Sequence, residues 1–108
     1  MLLNVIYGEL RDMWMVESQY EFSRFWLGQS RSYMSCAKAR KRQPSLLVLM
    51  RLSQRLTSIS AKYAAVATTE IERANCIRLA IILEQIGDET LRLAKNVSPT
   101  SYRQLHEA

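Results

Sequence analysis

Apolar residues recur three and four positions apart along nearly the whole chain, and the residues that interrupt this rhythm are confined to a few places. The spacing matches the 3.6-residue period of a helix, and no stretch sustains the two-residue alternation of a half-buried strand. Three glycines and two prolines in 108 residues are too few for the turns of an all-β chain. The expected fold is therefore all-α. A chain of this length supports one compact unit with at most an added element, burying about two thirds of its unfolded surface without disulfide or metal staples.

The interruptions divide the pattern into five segments. The first, Leu3 to Val16, carries Val5, Ile6, Leu10, Met13 and Trp14 on one stripe. Ser18 and Glu21 have the spacing of a capping box, opening a second helix that runs to Leu27 with Phe22, Phe25 and Trp26 inward. Gly28 ends it in the left-handed conformation that glycine adopts at little cost. Ser30 is the expected cap of a third helix, Arg31 to Arg40, with Tyr33, Met34 and Ala37 on its inner side. Gln43-Pro44-Ser45 closes that segment, and Ser45 caps a fourth helix whose inner face is Leu46, Leu49, Leu52 and Leu56. Arg51 and Arg55 point away from that face and are expected to solvate it.

Residues 57–68 contain no glycine or proline but are small and mixed, and read as a connector that can hold helical turns. Thr69 and Glu72 form another capping box, opening a long helix to Asn96 along Ile71, Ala74, Leu79, Ile82, Leu83, Ile86, Leu93 and Val97. Ser98-Pro99 stops it, and residues 99–108 are expected to form a flexible tail. The domain boundaries that follow are 1–60, 61–98 and 99–108.

Charge is distributed unevenly. Between Phe22 and Thr69 there are nine basic residues (Arg24, Arg31, Lys38, Arg40, Lys41, Arg42, Arg51, Arg55 and Lys62) and no acid, leaving six basic and ten acidic residues for the rest. Clustered cations of this kind are the usual footprint of a phosphate-binding surface, the bland alternative being a solvated face with acidic partners elsewhere in the fold.

Other chemistries find no support. The two cysteines, Cys36 and Cys76, make no disulfide framework and no CxxC pair, and His106 is the single histidine. No four-ligand zinc set is present, no Gly-rich phosphate loop exists, and no nucleophile, base and acid converge. The expectation is a cofactor-free protein that is not an enzyme. Apolar runs are too short to span a bilayer, and Met1 to Glu9 lacks the basic leader of a signal peptide, so a cytoplasmic protein with no membrane partner is expected.

Two short helices joined by a glycine turn and followed by a basic segment follow the helix-turn-helix pattern. The residues Ser18-Gln19-Tyr20-Glu21-Phe22-Ser23, Gly28-Gln29-Ser30-Arg31-Ser32-Tyr33-Met34-Ser35, Arg40-Lys41-Arg42-Gln43-Pro44-Ser45-Leu46, and then Leu49, Leu52 and Leu56 together resemble the Cro/cI-type (XRE-like) helix-turn-helix family over about residues 5–58. The chain departs from it in three ways: one extra residue between Gln19 and Gly28, Ser23 in place of a small alanine, and Lys38 in place of an acid. The resemblance implies a lambda-repressor-like domain followed by the long helix. It places Arg31, Ser32 and Cys36, with Ser35 close by, against base edges in the major groove, while Gln19, Lys38, Arg40, Lys41 and Arg42 grip phosphates and Gln29 and Ser30, in the adjoining turn, belong to the same DNA-binding set. Tyr33 and Met34 are expected in the core, and Trp14, Phe25 and Trp26 in the core or an interface.

The function expected on this basis is a dimeric transcriptional regulator, acting as a repressor on a palindromic double-stranded DNA operator. Ile77, Ala80, Ile81, Leu83 and Ile86 on the long helix would form the homodimer contact. The alternative for that helix is to fold back and complete a single-chain core. The alternative function is a protein-interaction module on the same scaffold, such as an antiactivator that binds another regulatory protein.

Overall fold

The computed structural model of the chain describes residues 2–41 and 43–95. Among these residues there is no strand. The order is α1 (Leu2–Asp12), α2 (Gln19–Glu21) running directly into a π-helix (Phe22–Trp26), α3 (Tyr33–Ala39), α4 (Leu46–Val66) and α5 (Glu70–Lys95). Arg42, Val97, the Ser98-Pro99 stop and the expected tail lie outside the described residues.

The first helix forms because Leu3, Ile6, Tyr7 and Leu10 share one buried stripe. It stops earlier than the expected Val16. Trp14 takes φ of 61°, and the amides of Trp14 and Met15 bond back to the carbonyls of Arg11 and Leu10 at 3.0 and 2.9 Å. This is a Schellman closure with tryptophan where glycine is usual. The reversal drives Met13 and Val16 into the core and leaves Trp14 95% exposed, so Trp14 is not a core residue.

The segment expected as a connector is helical almost throughout. Ile59 and Tyr63 extend the spacing of Leu49, Leu52 and Leu56 and pack against the core, and Val66 is the last helical residue. α5 then returns beside α4 after three residues, with the Asn75 amide donating to the Tyr63 hydroxyl at 3.3 Å. Leu79, Ile82 and Ile86 bury the inner stripe of α5 in the same cluster as residues of α1, the π-helix, α3 and α4. The long helix therefore contributes its inner stripe to the core of one chain.

Each capping serine or threonine of the longer segments does what its spacing implies. Ser18 Oγ accepts from the Glu21 amide and Ser45 Oγ from the Val48 amide, both at 3.2 Å. Thr69 Oγ1 accepts from the Glu72 amide, while Glu72 Oε1 accepts from the Thr69 and Thr68 amides at 3.1 and 3.3 Å. These bonds, the Thr69 amide first, hold the Glu72 carboxyl below the ordinary glutamate range. The unfolded chain offers no such donors, so the contribution of the cap is complete above the ordinary value and is lost as pH falls through the lowered one. Thermal melts followed by circular dichroism should therefore show wild type losing stability on acidification more steeply than Glu72→Gln. Parallel curves would show that the carboxylate does not hold this helix end.

Candidate nucleic-acid interface

The second and third helices are too short to hold their shape alone, so their geometry comes from what they lean on. α2 opens at Gln19 and makes a single α-turn before widening to π geometry, in which the Leu27 amide reaches the Phe22 carbonyl at 3.1 Å. A π-turn takes one more residue than an α-turn over the same length. The segment from Gln19 to Gly28 thus holds one residue more than an α-helix of the same length would. Phe22, Ser23 and Trp26 point inward, Phe25 is partly exposed, and Gly28 closes the segment at φ of 66°.

Ser23 links the two helices. It is fully buried, and its hydroxyl accepts from the Met34 amide at 3.1 Å. The Met34 amide lies in the first turn of α3, where no carbonyl of the helix can reach it. Ser32, at the N-cap position, makes no side-chain cap bond. The cap expected from Ser30 is thus supplied by a residue from the preceding helix, and Ser30 instead offers its carbonyl to the Tyr33 amide at 3.1 Å. α3 begins two residues later than expected as a result, with Arg31 and Ser32 in the turn that leads into it.

α4 supplies the other support. Arg55 Nε donates to the Phe25 carbonyl at 3.1 Å, and its guanidinium lies over the Phe25 ring, 4.3 Å from the centroid. The Arg51 side chain runs against Gly28, where an added Cβ would lie 3.1 Å from Arg51 Nε. These two arginines are held against the end of the second helix and its turn, and do not simply solvate α4. No local pattern marks this, because both contacts cross more than twenty residues of chain.

The outer face of α3 carries Ser35, Cys36, Lys38 and Ala39, while Met34 and Ala37 are buried and Tyr33 packs partly against the core. Gln29, Ser30, Arg31 and Ser32 are exposed in the turn, and Arg40 and Lys41 are exposed at the helix end, with Lys41 in a left-handed conformation at φ of 50°. Gln19 is half-buried in the first turn of α2. The surface is thus a turn and one helix face, interrupted by the inward pair Met34 and Ala37. Among the described residues the ion pairs are Arg78 with Glu9 and Arg92 with Glu89, so no cation of the acid-free stretch is neutralised by a carboxylate. No group of three or more metal-ligating side chains occurs among the described residues.

The proposed dimer residues separate. Ile77 and Ile81 are 64% and 49% exposed and Ala80 is exposed, but Leu83 packs against the core and Ile86 is fully buried. Ile86 lies seven residues after Leu79 on the inner stripe, and so it faces α4 and not a second chain. Ile81 instead borders α1: with Val5, Glu9, Arg78, Ile82 and Gln85 it lines a groove of about 220 Å³.

The protein is thus an all-α molecule in which two short helices are braced by a two-helix hairpin, and no helix among the described residues is long and apolar enough to cross a membrane. It belongs to DUF6626, a family of unknown function whose model matches residues 3–98. No curated protein and no solved structure matches it.

Replacing Ser23 by alanine, the small residue expected there from the resemblance, leaves the buried Met34 amide without an acceptor. Urea unfolding should show a loss of about 1–3 kcal/mol. A change within about 0.5 kcal/mol, as for an ordinary surface substitution, would mean that this hydroxyl does not cap α3.

Proposed function

We propose that the chain is a sequence-specific DNA-binding transcriptional regulator of the Cro/cI-like (XRE-like) helix-turn-helix type, with α3 as the helix that enters the major groove. The observation that carries this is the outer face of α3 and its leading turn: polar, cationic, unpaired with any carboxylate, and held by buried anchors at Met34 and Ala37. A helix suits the major groove, its first residues meet base edges, and flanking cations hold phosphates without reading sequence. Arg31, Ser32, Ser35 and Cys36 are the proposed base readers, and Lys38, Arg40 and Lys41, with Gln19, the phosphate contacts. The one-residue insertion before Gly28 fits this reading, since the π-helix takes it up ahead of the turn.

Exposed aromatics favour a second reading. Tyr20 is 61% exposed and Trp14 almost wholly so, and such rings are common anchors of protein interfaces. An antiactivator docking on another regulator through one or both of these rings is the competing function. Salt separates the two: DNA affinity falls steeply with ionic strength, whereas an aromatic contact responds little.

A gel-shift series against DNA upstream of the protein's own gene tests the main proposal. Arg31→Ala should relax sequence preference at a cost of about 1–3 kcal/mol. Lys41→Gly removes a charge at a position whose backbone suits glycine; it should weaken all sequences alike and flatten the salt slope by about one unit. Unchanged preference in Arg31→Ala would remove α3 from the role of reader.

Dimerisation belongs to the same proposal, on a face revised to Ile77, Ala80 and Ile81 with Val5 beside them. Light scattering should show Ile81→Asp as a folded single chain, because the charge would otherwise be buried unpaired across a two-fold axis. The neighbouring Ile82→Asp should unfold, as Ile82 is 2% exposed. A wild-type mass of one chain at micromolar concentration would overturn the dimer.

A further inference from the structure

We propose that Arg51 and Arg55 on α4, together with Gln54 and Ser58, form a phosphate-binding site distinct from α3 and its leading turn. These four side chains line a hollow of about 210 Å³. A water molecule takes about 30 Å³ of liquid volume, so the hollow has room for a tetrahedral oxyanion and several waters. Every lining side chain carries an N–H or O–H donor, and none is a carboxylate.

Three features make this more than a solvated helix face. First, the two guanidinium groups sit one turn apart on the same helix, an arrangement of like charges that is unfavourable unless a counter-charge joins them. No carboxylate does so among the described residues, where the ion pairs are Arg78 with Glu9 and Arg92 with Glu89. Secondly, Arg55 is oriented in advance. Its Nε is bonded to the Phe25 carbonyl and its plane rests on the Phe25 ring, which leaves the two Nη groups as the free fork. A planar fork of donors matches two oxygens of a phosphate and loses little freedom on binding when it is already held. Thirdly, the Arg51 side chain lies along Gly28, where an added Cβ would come within 3.1 Å of its Nε. Glycine at this turn therefore serves two purposes, the left-handed backbone and clearance for the arginine.

The chemistry recognised is that of a phosphate oxyanion. Two sources fit it: a backbone phosphate of DNA, which rests on the function proposed above, or the phosphate of a free small molecule, which does not. The experiment uses the full chain labelled with nitrogen-15. Inorganic phosphate, added against chloride at matched ionic strength, should shift the Nε–Hε signals of Arg51 and Arg55 in a saturable way, and the shift of the Arg55 signal should be abolished in Arg51→Gln and partly retained in Arg51→Lys. In parallel, the salt dependence of DNA binding is measured for the same variants. A slope reduced by about one unit in Arg51→Gln and restored in Arg51→Lys assigns the site to the DNA backbone; a role confined to bracing the turn would not follow charge in this way. A phosphate response with an unchanged slope supports the site with a free ligand as its source. If the chain binds no DNA at all, the function proposed above fails while the phosphate response still decides the site. Signals that ignore phosphate, together with an unchanged slope, would overturn the proposal.

Discussion

A helix of seven residues has little stability in water, because the cost of its first turn is never recovered over so short a length. Everything at the candidate interface hangs on this constraint. α3 exists because Met34 and Ala37 are buried beneath it and because Ser23 satisfies one of its leading amides. The segment before α3 exists because Phe22 and Trp26 are buried and because α4 holds its end through Arg55. The exposed residues of α3 are therefore presented on a support built almost wholly from residues that never reach the surface. A support of this kind favours precise placement of a few polar groups, since the side chains that fix it are packed and have little freedom to move.

Three helices end in a left-handed residue, at Trp14, Gly28 and Lys41, and only one of the three is glycine. The compactness of the N-terminal half follows from these reversals. Each lets the chain turn back within two or three residues, at a cost that non-glycine residues bear when the surrounding packing requires it. At Trp14 the gain is the burial of Met13 and Val16 on either side, and the indole is left in solvent as a consequence. The π-helix belongs to the same economy of length. It takes up one residue more than an α-turn would, and Gly28 still lies against Arg51.

The separation of charge along the sequence carries through to the fold in a simple way. The ion pairs of the described residues tie α5 to α1 and one turn of α5 to itself, both in the acidic frame. The acid-free stretch contributes the π-helix, the turn, α3 and α4, so its described cations are spread over adjoining elements and none of them pairs with a carboxylate. Arg55 shows how such a cation is accommodated without a carboxylate, by a backbone carbonyl and an aromatic face. Neither partner removes the positive charge, and the field of this side of the molecule remains available to an anion.

The all-α class, the caps at Ser18, Ser45 and Thr69, the buried positions of Met34, Leu49, Leu52 and Leu56, and the exposure of Cys36 were all legible from local spacing, because a helix period and a capping hydroxyl act within four residues. The continuation of α4 past Leu56 was also written in the chain, at Ile59 and Tyr63, but the small residues between them diluted the signal. Other features had no local trace. Sequence alone could not tell that Trp14 would be a left-handed cap, that Ser23 would cap a helix eleven residues away, or that Arg51 and Arg55 would close over the preceding turn. It also could not divide the broad apolar surface of α5 into a buried side at Leu79, Ile82 and Ile86 and an exposed one at Ile77 and Ile81. Those outcomes depend on which elements meet, and only packing the helices against one another decides which side of an apolar helix loses its water.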